Sequence, residues 1–456
     1  MENSLKLLHL LILGWIYCLL SPKRESLMIS RSSTLVITGF YLSCLYLCFF
    51  LSVPALAQGL SVLQGFTDET SSEFVIQAPM SANVQIQVTS DSGRQLELSW
   101  LKRVPVPGTD KELIKFAVES LSLKEHFQMR MLSSAGEILD ERTFDALNTF
   151  KRYPKVALAS CMVDWLHNPG IWDQMEALSP DLVLFVGDTT YVDISGPGDL
   201  VSRPRPDQVD HWKRFSETRD TLQIFKWKHL KPILAMADDH DFGYNNAESD
   251  FPLKNLANHV FQNFFAQSGA TSMKLHRGPG NSMAWNFFGL SFIMLDGRNF
   301  RDAQDFYSLE QRDWIESLPL KEKVLLMSGT QFFGAYLDKD SYEGERPSAF
   351  QDFLEWLKTL PQHFAFASGD IHFSEVMKIM DLGYESFEVT SSSVHSFTMP
   401  GRHVLLPTNP RRVPGKVTST HNFVTLQWDA LHPSHFTARS HGWRGQDLFE
   451  CELLLQ

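Results

Sequence analysis

The stretch Leu182-Val-Leu-Phe-Val186-Gly187-Asp188-Thr-Thr-Tyr191 decides the fold, because an apolar run of strand length ends at once in metal-binding residue types. The same pattern occurs three more times. The apolar runs at 156–159, 233–237 and 364–367 lead into Ser160-Cys161, Asp238-Asp239-His240-Asp241 and Ser368-Gly369-Asp370-Ile371-His372. Open α/β sheets place their chemistry in the loops beyond the carboxyl ends of strands. We therefore expect four strand ends to converge on one site, whose negative charge and mixed donors suit two metal ions.

The donors in these loops have the chemistry that two ions require. Asp188 can bridge two cations, because each of its oxygens can bind one, and Tyr191 offers a phenolate suited to trivalent iron. The three carboxylates around His240 would repel one another unless a positive charge holds them. Each motif also has a simpler interpretation. Asp188 could be a turn residue, the run at 238–241 a solvated acidic loop, His372 a core histidine and Cys161 a small buried residue.

The chain of 456 residues divides into segments of different pattern. Residues 58–150 alternate apolar with polar or small residues between turn formers, which is typical of a small antiparallel β-sandwich domain. Residues 151–456 interleave strands with helical stretches at 172–178, 252–267 and 309–318. That alternation indicates an α/β domain, and this domain contains all of the ligand motifs.

Residues 1–57 are predicted to be an N-terminal leader rather than part of the fold. A basic flank at Arg31 precedes a long apolar run at 35–53, and Ala55-Leu56-Ala57 matches an A-x-A cleavage site. We expect a signal peptide and therefore a secreted or periplasmic protein. The alternative is an uncleaved membrane anchor, since the apolar run is long enough to span a bilayer.

The net charge of −12 argues against a nucleic acid as a specific partner, because the long-range field would repel its phosphate backbone. It does not exclude a small phosphate ester, since bound cations can invert the local field. Only Cys161 and Cys451 follow the leader. We expect no disulfide between them, because a chain of this size needs none.

Taken together, the motifs resemble the alkaline phosphatase D (PhoD-like) family of the metallophosphoesterase superfamily. The resemblance is carried by Cys161, by Gly187-Asp188-x-x-Tyr191, by the runs at 238–243 and 368–375, and by Leu295-Asp-Gly-Arg298. It implies a metallophosphoesterase-type α/β sandwich catalytic domain preceded by the small β-sandwich domain. It also implies hydrolysis of phosphate monoesters and diesters at a two-metal centre, in the best-known form iron plus calcium.

The resemblance assigns a role to each matching residue. The first ion, Fe³⁺, would be held by Cys161, Asp188, Tyr191 and His372. Asp188 would bridge to a second ion, calcium or another divalent cation, with Asp239 and Asp370 as further ligands. A metal-bridged hydroxide would attack phosphorus, and His240 would protonate the departing oxygen as general acid. Arg298 is a candidate phosphate clamp or, alternatively, a surface or ion-paired arginine.

The sequence departs from the family pattern in three places. Ala237 stands where an aromatic residue is usual, and Thr189-Thr190 stands where an amide or apolar pair is common. The superfamily also has a lone histidine ligand, for which Gln331 or Ser328 would have to substitute. An oxygen-rich second site favours calcium or another hard ion over zinc.

Small phosphate esters are the expected substrates, and two alternatives stay open. One is a phospholipase or a nucleotide phosphodiesterase with the same centre, because substrate choice lies in loops such as the Pro-rich stretch 194–210 over the expected site mouth. The other is a secreted binding protein without catalysis, since fold alone does not determine function. A membrane would be a partner only through an uncleaved leader.

Overall fold

The structure, a computed structural model, describes residues 59–202, 204–270, 272–334, 340–398, 401 and 409–456. Gly59–Gln456 forms one compact unit. The predicted leader, residues 1–57, lies outside the described residues. Within the described part of the chain, no helix is both long and apolar enough to cross a membrane.

The first eight strands form a small β-sandwich. They are β1 Ser61–Thr67, β2 Ser71–Pro79, β3 Gln85–Ser90, β4 Gln95–Leu96, β5 Leu98–Pro105, β6 Lys111–Glu119, β7 His126–Leu132 and β8 Ile138–Asp145. Their orders are β1-β2-β6-β5 and β4-β3-β7-β8, and every pairing is antiparallel. Phe74 joins the two sheets, because its ring stacks on Phe116 at 5.2 Å and meets the edge of Phe144 at 4.8 Å. This confirms the antiparallel sandwich that the alternating pattern predicted.

Fourteen further strands of the described chain form two larger sheets. They are β9 Lys155–Ala159, β10 Leu182–Val186, β11 Ile233–Met236, β12 Leu275–Arg277, β13 Met283–Phe287, β14 Leu290–Met294, β15 Lys323–Met327, β16 His363–Ser368, β17 Ser374–Ile379, β18 Ser386–Thr390, β19 Arg412–Thr418, β20 Asn422–Trp428, β21 His435–Gly442 and β22 Asp447–Leu454. The six-stranded order is β11-β10-β9-β20-β21-β22, and the eight-stranded order is β12-β13-β14-β15-β16-β18-β17-β19. The two sheets face each other across a shared apolar core that includes Leu158, Leu184, Phe292 and Ala365.

The α-helices of the described chain are α1 Pro169–Leu178, α2 Asp199–Ser202, α3 Gln208–Thr221, α4 Asp239–Phe242, α5 Lys254–Phe264, α6 Leu309–Ser317, α7 Tyr342–Glu345 and α8 Pro347–Thr359. Helices α1, α3 and α5 pack on the six-stranded sheet, and α6 and α8 on the eight-stranded one. Burial in α5 recurs at Ala257, Val260, Phe261 and Phe264, the spacing that places one apolar stripe against a sheet.

The part of the chain that contains β9 to β22 is therefore a four-layer α/β sandwich, and the predicted fold class is confirmed. Strands β9, β10 and β11 are mutually parallel, as are β14, β15, β16 and β18. Three of the predicted ligand motifs follow strands of the six-stranded sheet, and the fourth follows β16 of the other sheet. They meet because the two sheets face each other, so that the site lies where the ends of both sheets come together.

Candidate metal centre

The loops that follow β9 and β10 are joined by backbone hydrogen bonds. Cys161 N donates to Gly187 O at 3.4 Å, and Met162 N donates to Asp188 O at 2.9 Å. Gly187 needs its φ of +87°, and a Cβ there would lie 2.7 Å from the Cβ of Asp238. A glycine at this position therefore lets the third loop approach the second closely.

Four predicted ligands share an unusual backbone conformation. Cys161, Asp188, Asp370 and His372 have φ values of 58°, 53°, 68° and 55°. Side chains other than glycine rarely adopt this left-handed region, and it costs on the order of 1–3 kcal/mol each where the surroundings impose it. Asp370 and His372 are not placed by the alternation of side chains along a strand, because both lie beyond the end of β16 and left-handed turns direct them.

One group of donors contains the residues expected around the first ion. Donor atoms of Cys161, Asp188 and His372 all lie within 4.8 Å of one another. The Tyr191 hydroxyl lies 3.2 Å from Asp188 Oδ2 and 3.3 Å from His372 Nε2. The backbone oxygen of Phe397 lies 3.1 Å from Nδ1 of His372, which fixes the ring with Nε2 towards the group. The structure thus brings a thiol, a carboxylate, a phenol and an imidazole to one point.

A second, more acidic group adjoins the first. Donor atoms of Asp188, Asp239 and His240 lie within 4.8 Å of one another, and so do those of Asp238, Asp239 and Asp370. Asp188 belongs to both the first and the second group, which is the position a bridging ligand needs. Asp238 is part of the Asp238-Asp239-His240-Asp241 motif, but the sequence analysis did not predict it as a metal ligand.

The carboxylates of this centre fit metal ions, because their hydrogen-bonding capacity is unused. Asp188 Oδ1, Asp238 Oδ2, Asp239 Oδ1 and Asp370 Oδ2 are all buried and have no hydrogen-bond partner among the described residues. Leaving a buried charged oxygen without a partner is costly, so such groups are ordinarily paired or bind metals. Four such atoms at one point indicate that cations complete the site.

The thiol and the phenol also need a cation before they become ligands. Burial, and then the charge of Asp188, raises the pKa of the Cys161 thiol well above its ordinary value. The same two causes raise the pKa of the Tyr191 hydroxyl well above its own. Thiolate and phenolate therefore form in this pocket only where a positive charge replaces the protons. Cys161 and Cys451 are both buried and unbridged, as expected.

His240 is held beside the acidic group by a residue that the sequence analysis missed. Its Nδ1 lies 2.7 Å from Asp193 Oδ1, and its ring stacks on Tyr191 at 4.2 Å. Burial lowers the pKa of His240, but the charges of Asp239, Asp193 and Asp188 outweigh it and raise the pKa to about 10. Asp193 follows Tyr191 by two residues, and that spacing alone gave no signal of its role.

The last acid of the Asp-Asp-His-Asp run has a supporting role. The Asp241 carboxylate accepts hydrogen bonds from the backbone N–H groups of Thr189 at 3.3 Å and Thr190 at 2.8 Å. It also accepts one from Asp238 N at 3.1 Å, which closes a capping box at the start of α4. Asp241 therefore ties the loop after β10 to the loop after β11.

Comparison with solved structures finds a similar fold. A structure titled "Structure of PhoD" superposes with a TM-score of 0.63 at 15% identity, covering 89% of this chain and 90% of that one. The chain resembles PhoD in fold. A predicted phosphoesterase from Streptococcus pneumoniae TIGR4 is a weak match, with a TM-score of 0.28 and 8% identity over 67% of this chain and 99% of that one. No family model matches the sequence, and no curated protein sequence matches it either.

Within this PhoD-like fold, Arg298 is ion-paired rather than open to the cavity. It is 1% exposed, and its Nε donates to Asp238 Oδ1 at 2.5 Å. Its Nη2 donates to Thr330 Oγ1 at 2.8 Å and lies 3.8 Å from Asp239 Oδ1. The geometry is that of the ion-paired alternative, in which Arg298 orients Asp238 and Asp239.

Gln331 and Ser328, the two candidates to replace the lone histidine, are both buried, and the amide oxygen of Gln331 has no hydrogen-bond partner among the described residues. The amide nitrogen of Gln331 donates to Glu375 Oε1 and Thr390 Oγ1, each at 2.9 Å. The hydroxyl of Ser328 hydrogen-bonds with that of Tyr342 at 2.6 Å. The additional oxygen donor in the second group is Asp238.

A cavity of about 400 Å³ opens beside the centre. His240 and His372 line one part of it, and residues of the 194–210 loop line another, as predicted for the site mouth. Arg205 of this loop lies over the ring of Tyr244 at 4.9 Å. The cavity therefore combines the predicted metal centre with an aromatic wall and a guanidinium group.

Proposed function

We propose that this chain is a metal-dependent hydrolase of phosphate esters, of the alkaline phosphatase/phosphodiesterase type, and that it is exported. One observation carries the proposal: four buried carboxylate oxygens without hydrogen-bond partners among the described residues lie at the meeting point of the strand ends, beside a histidine and an open cavity. The likeness to PhoD in fold agrees with it. Export rests on the leader sequence at residues 1–57 alone.

Two groups of side chains would hold the ions. Cys161, Tyr191, His372 and Asp188 form the softer set with a nitrogen and a sulfur donor, which suits iron. Asp188, Asp239 and Asp370 form an oxygen set that suits calcium or another hard divalent ion, with Asp238 as a further candidate. Bound ions would supply an activated water and would neutralise charge on the phosphoryl oxygens.

His240 is placed to act as general acid. Asp193 occupies Nδ1 of the ring, so Nε2 is the nitrogen left for the departing oxygen of the ester. Burial lowers the pKa of the ring, while the charge and hydrogen bond of Asp193 raise it, and this support from Asp193 remains when ions bind Asp188 and Asp239. Asp193 therefore acts as a positioning residue that holds both the orientation and the charge of His240.

Arg298 and the cavity also have roles in the proposed reaction. Arg298 holds Asp238 and faces Asp239, so we assign it to orientation of the second group rather than to direct capture of phosphate. The cavity of about 400 Å³ accommodates a small ester, with the aromatic ring of Tyr244 and the Arg205 guanidinium on its wall.

The proposal is tested by turnover of nitrophenyl phosphate as monoester and bis-nitrophenyl phosphate as diester, together with metal analysis of the same preparation. We expect hydrolysis that disappears on chelation and returns with added metal. Binding of phosphate esters without any turnover by the fully metallated protein would favour the non-catalytic alternative. Accumulation of the full-length protein inside the cytoplasm with its leader intact would contradict the export part.

A further inference from the structure

A second cavity, of about 450 Å³, shares no lining residue with the first. It lies between the small β-sandwich and the catalytic part of the same compact unit. Lys102 of β5 and Lys115 of β6 line one side. Gln262 and Asn263 of α5, and Arg277 of β12, line the other. Three cationic side chains from two domains thus share one small space.

Lys115 is fixed in place and keeps one donor for the cavity. It is only 7% exposed, and its ammonium donates to Gln262 O at 2.5 Å and to Phe265 O at 3.4 Å. An ammonium carries three N–H groups, so one remains. The lysine is therefore a rigid cationic wall rather than a mobile surface side chain.

Arg277 and Lys102 have more unused capacity. Within the described residues, the Arg277 guanidinium donates only through Nη1, to Gln267 O at 3.4 Å and Met283 Sδ at 3.7 Å. Across the described ranges, no residue accepts a hydrogen bond from its Nε or Nη2, and no carboxylate pairs with Lys102. Together they offer a guanidinium fork and an ammonium to whatever enters the cavity.

Among the described residues, the nearby carboxylates form no ion pair with these cations. Glu73 is fully buried and accepts from Ser268 N at 2.7 Å, Ser268 Oγ at 3.0 Å and Gly269 N at 3.0 Å. Asp296 is similarly occupied by backbone and amide N–H groups. Burial lowers the pKa of Lys115 to about 8, and although Glu73 opposes this, Lys102 and Arg277 add to it. The cations repel one another in a chain whose net charge is −12, and an anion would relieve that repulsion.

We propose that this cavity binds a small, multiply charged oxyanion of the class of inorganic phosphate, held by Lys102, Lys115 and Arg277. A guanidinium fork with two ammonium groups matches several oxygens of one tetrahedral anion better than it matches a single carboxylate. The bound anion bridges β5 and β6 to β12, and so it stabilises the contact between the two domains. The inference is independent of the hydrolytic activity proposed for the metal centre.

The test is calorimetric titration of the metallated protein with inorganic phosphate, comparing wild type with Lys102→Gln and Arg277→Gln. Lys124→Gln is the matched control, because it removes an exposed lysine of the same small domain that does not line the cavity. We expect phosphate binding to weaken by about 10-fold or more in the first two variants, the scale of one charge-assisted hydrogen bond. The control should bind within two-fold of wild type, roughly the error of additivity.

Phosphate also binds metal centres, so inhibition of ester hydrolysis by phosphate is measured in parallel. The inhibition constant should be equal in all four proteins, which separates the cavity from the centre. Equal phosphate affinity in Lys102→Gln and Lys124→Gln would overturn the proposal, even if Arg277→Gln fails to fold. Equally tight binding of acetate at matched ionic strength would also overturn it. If no hydrolysis is found, the titrations still decide the cavity, because they do not depend on turnover.

Discussion

Two clusters of buried acids lie in this fold, and they differ in how their oxygens are bonded. Glu375 and Glu388 are both fully buried. Glu388 accepts from Phe332 N and Phe333 N at 2.9 Å each and from Ser368 Oγ at 2.6 Å. Glu375 accepts from Gln331 Nε2 at 2.9 Å and Arg412 Nε at 2.5 Å. Every oxygen of this pair has a protein donor.

Asp188, Asp238 and Asp239 of the candidate centre are similarly inaccessible and Asp370 is half-buried, yet each of the four keeps one buried oxygen without a hydrogen-bond partner in the described chain. Burial raises the pKa of Glu388 to about 7 and raises that of Asp188 and Asp370 well above the ordinary value. Burial and pKa therefore do not distinguish a structural acid from a metal ligand here. The distinguishing property is whether the protein itself satisfies the oxygens, and the predictions below depend on that difference.

Replacement of the shared ligand should have the largest effect. Asp188→Ala removes the carboxylate common to both donor groups, so we expect metal content and ester hydrolysis both to fall to background. Glu388→Gln is the matched control from the satisfied cluster. It should cost about 1–3 kcal/mol of stability, because one amide group cannot accept all the bonds that it replaces, with metal content unchanged. Loss of metal in Glu388→Gln alone would invert the comparison.

His240→Ala should retain metal and lose rate, by on the order of 10²–10⁴-fold, which is the usual contribution of a general acid. The loss should be smaller for nitrophenyl esters, whose leaving oxygen needs little protonation. Asp193→Asn should lie between this variant and wild type, by about 10–100-fold, because it weakens only the orientation and charge of His240. Metal analysis with kcat for good and poor leaving groups checks this, and an empty centre in His240→Ala would reassign the histidine as a ligand.

Much of this centre could be predicted from the sequence. Apolar runs ending in Cys, Asp or His marked the strand ends after β9, β10, β11 and β16, and Cys161, Asp188, Tyr191 and His372 do come together. What the sequence could not show depends on long-range packing. Asp193 reaches His240 across 47 positions, and Arg298 reaches Asp238 across 60. The left-handed turns at Asp370 and His372 are likewise imposed by neighbouring loops, since local propensity disfavours them.

Chelation should lower the free energy of unfolding by about 4 kcal/mol. The reference is the protein in a free-ion concentration of a thousand times the dissociation constant. The reason is that removal of the cations leaves the four aspartate oxygens buried without partners. Thermal unfolding with and without chelator measures the effect, and added divalent ion should restore both melting temperature and activity. A melting curve that does not respond to chelation would mean that the aspartates tolerate burial as Glu375 and Glu388 do.

The buried histidine His395 should have a smaller effect, on the pH dependence of stability. Burial lowers the pKa of His395 to about 3, and Trp172 Nε1 donates to its Nε2 at 3.2 Å. In the unfolded chain His395 takes up a proton below about pH 6.5, whereas in the folded chain it does so only near pH 3. The contribution of the neutral His395 to stability is therefore complete above pH 6.5 and is lost as the pH falls. At pH 5 the loss is about 2 kcal/mol, at 1.36 kcal/mol per unit. His395→Gln should unfold with a flatter pH dependence between 7 and 5, and an unchanged slope would contradict this reading of His395.

The central claim is that cations, rather than protein donors, complete the buried aspartates. Elemental analysis of the purified, active protein with its visible absorption spectrum tests this most directly. We predict about two metal ions per chain, one of them iron with a charge-transfer band from the Tyr191 phenolate, and loss of both ions in Asp188→Ala. A colourless protein that is free of metal and fully active would contradict the account.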